Sequence, residues 1–194
     1  MVKLVGKNKI LSAVFISGRG SNLKSIYNYS IKKNSKICVE LVISSKSDVL
    51  GVKFARKYNI KTKIINYKNK VKAEARIIKL LKKNNIQLIC LAGFMKVLSK
   101  NFVKSFKNKI INIHPSLLPK YKGLNTHERA IKNRDRFSGC TVHYVNQNLD
   151  SGKIILKQKV KLYKSDTPEQ LAKRILKVEN KLYPRAINKV ISNF

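Results

Sequence analysis

Hydrophobic positions along the chain switch repeatedly between short continuous runs and helical spacing. Leu11 to Ile16 is an apolar run closed by a Gly-rich turn, and from Ser21 the spacing of Leu23, Ile26 and Tyr27 predicts a helix to about Ile31. Lys36 to Ile43 reads as a second strand, Val49 to Tyr58 as a helix and Ile60 to Ile65 as a third strand. Ala73 to Lys83 then sets Ile77, Ile78, Leu80 and Leu81 on one helical side. Ile86 to Ala92 and Lys109 to Ile113 follow as strands, and Leu124 to Asn133 as a helix. Strands alternating with helices predict βαβ units, hence a three-layer α/β fold around a mostly parallel twisted sheet.

The pattern changes after that helix. Gly139 to Val145 and Ile154 to Leu162 are strands joined by a short loop, which predicts an antiparallel edge near the C-terminus. Thr167-Pro168-Glu169-Gln170 carries a capping box with Pro in the first turn, and Leu171, Ile175, Val178 and Leu182 form the apolar stripe of a final helix. Pro184 is expected to end or kink it. Residues 1–194 thus read as a single domain, without an internal repeat or long linker.

Composition changes the picture in two ways. With 43% hydrophobic residues the chain can bury a core, which excludes a disordered basic tail, and no run of 18 apolar residues predicts a membrane span. The segment from Lys3, Lys7 and Lys9 into Ile10 to Ile16 mimics a signal peptide, but it lacks a small-residue cleavage site and reads as a buried strand. Cys38, Cys90 and Cys140 are odd in number and lack a C-x-x-C pair, so a disulfide framework and a zinc site are both disfavoured and a cytoplasmic protein without metal is expected.

The net charge of +34 would ordinarily point to nucleic acid or an anionic membrane. Its distribution argues otherwise. Successive fifties hold 9, 14, 9 and 11 cations, and 35 of the 43 are Lys, so no arm or stripe concentrates charge. Dispersed Lys is what a compositional bias produces; Arg would supply the bidentate geometry of a dedicated reader. Against that background the few acids and histidines stand out.

All three histidines fall between 114 and 143, and Asn112, His114, His127, His143 and Asp150 share a stretch of 39 residues. Asn112 and His114 are two apart on a strand, so they share a face at its carboxyl end, where such sheets build their sites. Ser17 to Asn22 follows the first strand and opens the first helix, a candidate phosphate cradle of backbone N–H groups; it lacks the G-K-[ST] of a Walker loop, and Leu23 replaces the third Gly of a dinucleotide fingerprint. Leu91-Ala92-Gly93-Phe94-Met95 ends a strand with a small-residue turn and two bulky side chains able to wall a ligand slot.

Together, Ile16 to Leu23, Leu91 to Ser99, Asn112-Ile113-His114-Pro115-Ser116-Leu117-Leu118-Pro119-Lys120-Tyr121, and Gly139 through Asp150-Ser151-Gly152 resemble the glycinamide ribonucleotide formyltransferase family of purine biosynthesis, in that family's order and spacing from about residue 11 to Pro184. The resemblance implies a Rossmann-like formyltransferase fold and transfer of a formyl group from 10-formyltetrahydrofolate to the amine of glycinamide ribonucleotide. It also implies that Asn112, His114 and Asp150 are catalytic and that Gly20, Ser21 and Asn22 hold the substrate phosphate. Glu179 would face the amine end. Met95, Lys96, Val97 and Leu98, with Asn112 and the loop to Asp150, would line the folate pocket, and Lys70 would replace a family Arg near the folate. A cis peptide at Leu118-Pro119 is implied as well.

The chemistry of these residues agrees with that implication. Amine attack on a formyl carbonyl creates an oxyanion that the Asn112 amide and a protonated His114 can stabilise, while Asp150 raises the imidazole pKa and helps relay the amine proton. No metal and no thiol nucleophile is called for. Asn125 stands where many relatives carry His, and Lys153 where they often carry Pro. The partners expected are the two small molecules, with no specific nucleic acid and no membrane, for a monomer or homodimer. Methionyl-tRNA formyltransferase is the alternative enzyme, formyltetrahydrofolate hydrolase a further one; each is disfavoured because its additional domain is not expected here. A basic nucleic-acid-binding module would leave the Asn112, His114 and Asp150 grouping without a purpose.

Overall fold

The computed structural model describes residues 9–107 and 109–192. Lys3 and Lys7 lie outside them. The chain forms two compact units, one ending at Leu98 and the next beginning at Ser99.

The first unit contains β1 (Ile10–Ile16), α1 (Ser21–Ser30), β2 (Ile37–Ser44), α2 (Leu50–Lys57), β3 (Lys61–Ile64), α3 (Lys70–Lys83) and β4 (Leu88–Leu91). Its strands are parallel and ordered β3-β2-β1-β4. Ala13 to Ile16, Leu41 to Ile43 and Leu88 to Cys90 are fully buried, which is why these strands read as continuous apolar runs: a parallel strand in this setting loses water from both faces. Leu23 and Ile26 of α1, Val52 and Ala55 of α2, and Ile77 and Leu81 of α3 complete the core. Each buried Leu or Ile stabilises by roughly 1.5–3 kcal/mol.

Helix α3 begins three residues before the expected start, because the Asn69 side chain accepts from the Lys72 N–H and caps it. Its buried face is Ala73, Glu74, Ile77 and Leu81, with Ile78 and Leu80 half-buried.

The second unit contains α4 (Lys100–Ser105), β5 (Ile110–His114), α5 (Thr126–Lys132), β6 (Phe137–Tyr144), β7 (Ile154–Lys161) and α6 (Pro168–Ile191). Strand β6 pairs antiparallel with β5 on one side and with β7 on the other, the last pair as the sequence pattern requires. The capping box of α6 is formed in full: Thr167 Oγ1 accepts from the Gln170 N–H and the Gln170 side chain accepts from the Thr167 N–H. The helix packs on β6, β7 and α5, and the Tyr183 hydroxyl donates to the Ile111 carbonyl at 3.1 Å.

One expectation is narrowed here and another corrected. Pro184 lies inside α6 and does not end it. Proline forfeits one backbone bond, but buried Ala186, Ile187, Val190 and Ile191 hold the following turns by packing. On the apolar stripe, Glu179 takes the buried place and Val178 is only half-buried. Helix α4, unforeseen in the apolar pattern, is a short turn capped by the Ser99 side chain on the Phe102 N–H. Among the described residues no helix is long and apolar enough to cross a membrane.

Candidate active site

Strand β5 delivers Asn112 and His114 to one face, and β6 runs antiparallel beside it with His143 opposite Asn112 and Thr141 opposite His114. The chain beyond β6 then returns. Gly152 passes so close to the Tyr144 carbonyl that a Cβ there would overlap it, and Asp150 itself adopts a left-handed conformation at φ 44°. That return sets the Asp150 carboxylate between the two imidazoles.

Asp150 Oδ2 lies 3.3 Å from His114 Nδ1 and accepts from the Gly123 N–H at 2.9 Å. Asp150 Oδ1 lies 3.6 Å from His143 Nε2 and 3.5 Å from Asn112 Nδ2. Asn112 Nδ2 also approaches His143 Nε2 at 3.3 Å, and His143 Nδ1 donates to the Tyr144 carbonyl at 2.9 Å, which leaves Nε2 as the acceptor in the neutral ring. His114 is 5% exposed. Its Nε2 donates to the Tyr121 carbonyl at 2.8 Å, because a carbonyl oxygen can only accept.

Burial is the largest influence on His114 and pulls its pKa below the ordinary value, against the Tyr121 carbonyl and Asp150, which push it up. For Asp150 burial raises the pKa, but His143, the Gly123 N–H and the charge of His114 outweigh it and hold the carboxyl below its usual value. In the neutral ring the Tyr121 carbonyl fixes the tautomer, with the hydrogen on Nε2 and the lone pair on Nδ1. Its one exchangeable position, Nδ1, faces a carboxylate ready to stabilise an added proton. Both ring nitrogens are therefore engaged, and an imidazolium here would direct its hydrogens at Tyr121 and Asp150.

The loop between β5 and α5 is held in place. Thr141 Oγ1 donates to the Ser116 carbonyl at 2.7 Å and accepts from the Leu118 N–H at 3.1 Å, and the Leu118-Pro119 peptide is cis.

In the first unit, the turn after β1 carries Gly20 at φ 75° as the N-cap residue of α1. A Cβ on Gly20 would stand 2.6 Å from the Gly51 Cα, so the turn and the first residues of α2 touch backbone to backbone. The Gly51 N–H donates to the Gly18 carbonyl at 3.2 Å. Ser21 and Asn22 open α1. The same turn is tied to the loop after β4: the Ser17 N–H donates to the Gly93 carbonyl at 3.0 Å, and Ser17 Oγ accepts from the Met95 N–H at 2.9 Å while sharing a hydrogen with Ser45 Oγ at 2.6 Å. Beyond this anchor Met95 and Val97 are 65% and 66% exposed, with Lys96 exposed between them and Leu98 half-buried. Phe94 stands edge-on to Phe15 and to Tyr67 and roots the loop in the core.

The Formyl transferase family matches residues 10–187. Phosphoribosylglycinamide formyltransferase of Haemophilus influenzae is 39% identical over 178 residues, covering 90% of this chain and 84% of that protein. The chain belongs to the phosphoribosylglycinamide formyltransferase family.

The trifunctional purine biosynthetic protein adenosine-3 of Homo sapiens is 41% identical over 189 residues; they make up 96% of this chain, and the chain spans 19% of that relative's length. Crystal structures of phosphoribosylglycinamide formyltransferases agree in fold. That from Brucella melitensis superposes with a TM-score of 0.89 at 36% identity, over 93% of this chain and 95% of the other. That from Anaplasma phagocytophilum gives 0.87 at 41% identity, over 92% and 84%. The α/β architecture read from the sequence is therefore the formyltransferase fold.

For this family member, the structure brings Asn112, His114 and Asp150 within contact of one another, and gathers Gly20, Ser21 and Asn22 at one helix start. Lys70 opens α3, where its charge adds to the positive end of the helix dipole. Glu179 is 7% exposed on α6, near enough to β6 that its charge, after burial, helps push the Cys140 thiol up to about 12. That thiol is no nucleophile.

His143, Tyr121, Gly123 and Gly51 touch the expected site residues and escaped assignment from sequence. His143 was visible as a third histidine in the same stretch, but only the β5–β6 register places it opposite Asn112. Gly51 had a weaker signal, a glycine inside a helix where alanine is favoured by about 1 kcal/mol.

Proposed function

We propose that the chain, acting as one formyltransferase domain in the cytoplasm, transfers a formyl group from 10-formyltetrahydrofolate to the amine of glycinamide ribonucleotide in de novo purine biosynthesis. The observation that carries this reading is the contact of His114 Nδ1 with the Asp150 carboxylate beside the Asn112 amide, at the end of β5. Membership of a family whose curated members are named phosphoribosylglycinamide formyltransferase supports the choice of substrate.

The donor would be held by the loop from Met95 to Leu98, by Asn112 and by Lys70. Two apolar side chains left largely in water around Lys96 fit a flat-faced, anionic molecule, since covering them recovers hydrophobic free energy and the cations answer its carboxylates. When bound, the folate supplies the formyl group. Asn112 donates an amide hydrogen to the formyl oxygen as negative charge develops there. His114 takes the proton of the attacking amine, directly or through water, at Nδ1, where Asp150 stabilises the resulting imidazolium at 3.3 Å, and gives that proton to the leaving donor nitrogen as its bond to the formyl carbon breaks. Since both imidazole hydrogens are then directed at Tyr121 and Asp150, His114 assists the formyl oxygen by its positive charge. The backbone N–H groups at Gly20, Ser21 and Asn22 receive the substrate phosphate at the start of α1, and Glu179 faces its amine end. No metal takes part, and the protein works as a monomer or homodimer.

The test is an assay of purified protein with 10-formyltetrahydrofolate and each of two acceptors. Turnover with glycinamide ribonucleotide and none with methionyl-tRNA is expected. Turnover confined to the tRNA would overturn the assignment.

A further inference from the structure

Neither hydrogen-bond partner that orients His114 and Asp150 from outside the strands is a side chain of the proposed reaction. They are the carbonyl of Tyr121 and the N–H of Gly123, two residues apart on one loop. A main-chain group orients a catalytic side chain only as well as its own backbone is held. Tyr121 adopts φ 55°, a left-handed conformation uncommon for a residue with a Cβ, and above all for a bulky one. Something must over-determine it.

The holding groups come from α5 and the turn that follows it. The Tyr121 hydroxyl donates to Asp135 Oδ2 at 2.8 Å and accepts from Asn133 Nδ2 at 2.9 Å, so its bonding capacity is used on one small cluster. The Arg129 guanidinium sits 5.0 Å over the Tyr121 ring, and its Nη1 donates to the carbonyls of Lys122 at 2.7 Å and Leu124 at 3.3 Å, on either side of Gly123. Asp135 is itself rigidly placed: its N–H donates to the carbonyl of Ala130, a fully buried residue of α5, and its side chain is only 15% exposed. The route runs from buried Ala130 of α5 through Asp135 to the Tyr121 ring, then through the Tyr121 carbonyl to His114 Nε2. A parallel route runs through Arg129 to the segment that presents the Gly123 N–H to Asp150.

We propose that Tyr121 and Asp135, with Arg129, are positioning residues of the reaction: the Tyr121–Asp135 hydrogen bond fixes the left-handed turn whose carbonyl sets the tautomer and orientation of His114. The kinetic part of this inference rests on the formyl-transfer reading; the orientation of His114 does not. Lys120, which also meets Asp135 at 3.1 Å, is 64% exposed and has no share in it, because an exposed ion pair contributes little.

The experiment compares Tyr121→Phe, Asp135→Ala, Asp135→Asn and Lys120→Met. Tyr121→Phe keeps the ring under Arg129 and removes only the hydroxyl, and Asp135→Asn keeps an acceptor for it. Each variant is followed by the imidazole NMR resonances of His114 in the free protein and by kcat and KM for both substrates. In Tyr121→Phe and Asp135→Ala the His114 resonances should move and kcat should fall by about 10- to 100-fold at little-changed KM, the cost of misplacing a reacting group. Asp135→Asn should recover most of both readouts, and Lys120→Met should match the parent. His114 resonances identical to the parent in Tyr121→Phe, or Asp135→Asn as impaired as Asp135→Ala, would overturn the proposal, as would an unchanged kcat. A parent protein without formyl transfer to glycinamide ribonucleotide would sink the functional reading alone, and the resonances would still decide the positioning.

Discussion

His114 presents Nδ1 to Asp150 Oδ2 at 3.3 Å while its other ring nitrogen is spent on the Tyr121 carbonyl. The pair therefore works through a single proton position. Replacing His114 by Ala removes the acceptor of the amine proton, and replacing Asp150 by Asn keeps the shape while removing the charge that stabilises the imidazolium. Each should lower kcat by about 10²- to 10⁴-fold with an unchanged circular dichroism spectrum. Steady-state kinetics check this, and a near-parental rate in either variant removes that residue from the chemistry.

The same environment makes stability depend on pH. The folded protein holds His114 and His127 below the ordinary 6.5, burial being the main cause for both, so the unfolded chain binds their protons first. Their contribution is present above about pH 6.5 and is lost as the pH falls, by up to about 1.4 kcal/mol per pH unit for each proton. Asp150, also depressed, adds a loss of the same sign at lower pH, below its ordinary 3.8. Urea midpoints should drop between about pH 7.5 and 5, and His114→Gln should flatten part of that slope. A midpoint rising on acidification would contradict the burial argument.

Gly20 meets two demands, φ 75° and close passage of the Gly51 Cα. Gly20→Ala has to move one backbone away from the other, so a loss of about 1–3 kcal/mol is expected together with a raised KM for glycinamide ribonucleotide. Thermal denaturation and kinetics report the two effects separately; an alanine variant as stable as the parent would show that the turn yields easily.

Met95 and Val97 should behave in the opposite way. Because both are largely exposed, the double change Met95→Ser with Val97→Ser should alter stability by less than about 0.5 kcal/mol. The KM for 10-formyltetrahydrofolate should rise about tenfold, the loss of roughly 1.4 kcal/mol of apolar contact. Titration of the donor into each protein measures it, and equal affinities would place the folate elsewhere.

The scarcity of acids proves informative in the folded chain. Asp150 joins two histidines, Asp135 holds Tyr121, and Asp166 pairs with Arg174, whose guanidinium also lies over Tyr163. Glu74 and Glu179 are buried. The lysines, in contrast, are spread over exposed positions such as Lys157, Lys159 and Lys161 of β7, where a charge costs nothing and discourages edge pairing.

Strand and helix positions were legible in the sequence because they follow from local periodicity: the runs of β1, β2 and β4, the capping box of α6 and the Asn112/His114 pairing on β5 are each settled within a few residues of chain. Asn69 as a cap, the passage of α6 through Pro184 and the burial of Glu179 were not, since the first needs the exact helix start and the others depend on what packs against the helix. Sequence order also brought Asn112, His114 and Asp150 into one stretch and marked Gly20 as a turn. It carried no information on which nitrogen of His114 meets which oxygen. That assignment required the β5–β6 register to bring His143 opposite Asn112, the Gly152 return to bring Asp150 back, and the Tyr121 turn to occupy Nε2. Each of these is a contact between segments distant along the chain, whose geometry exists only once the intervening backbone has folded.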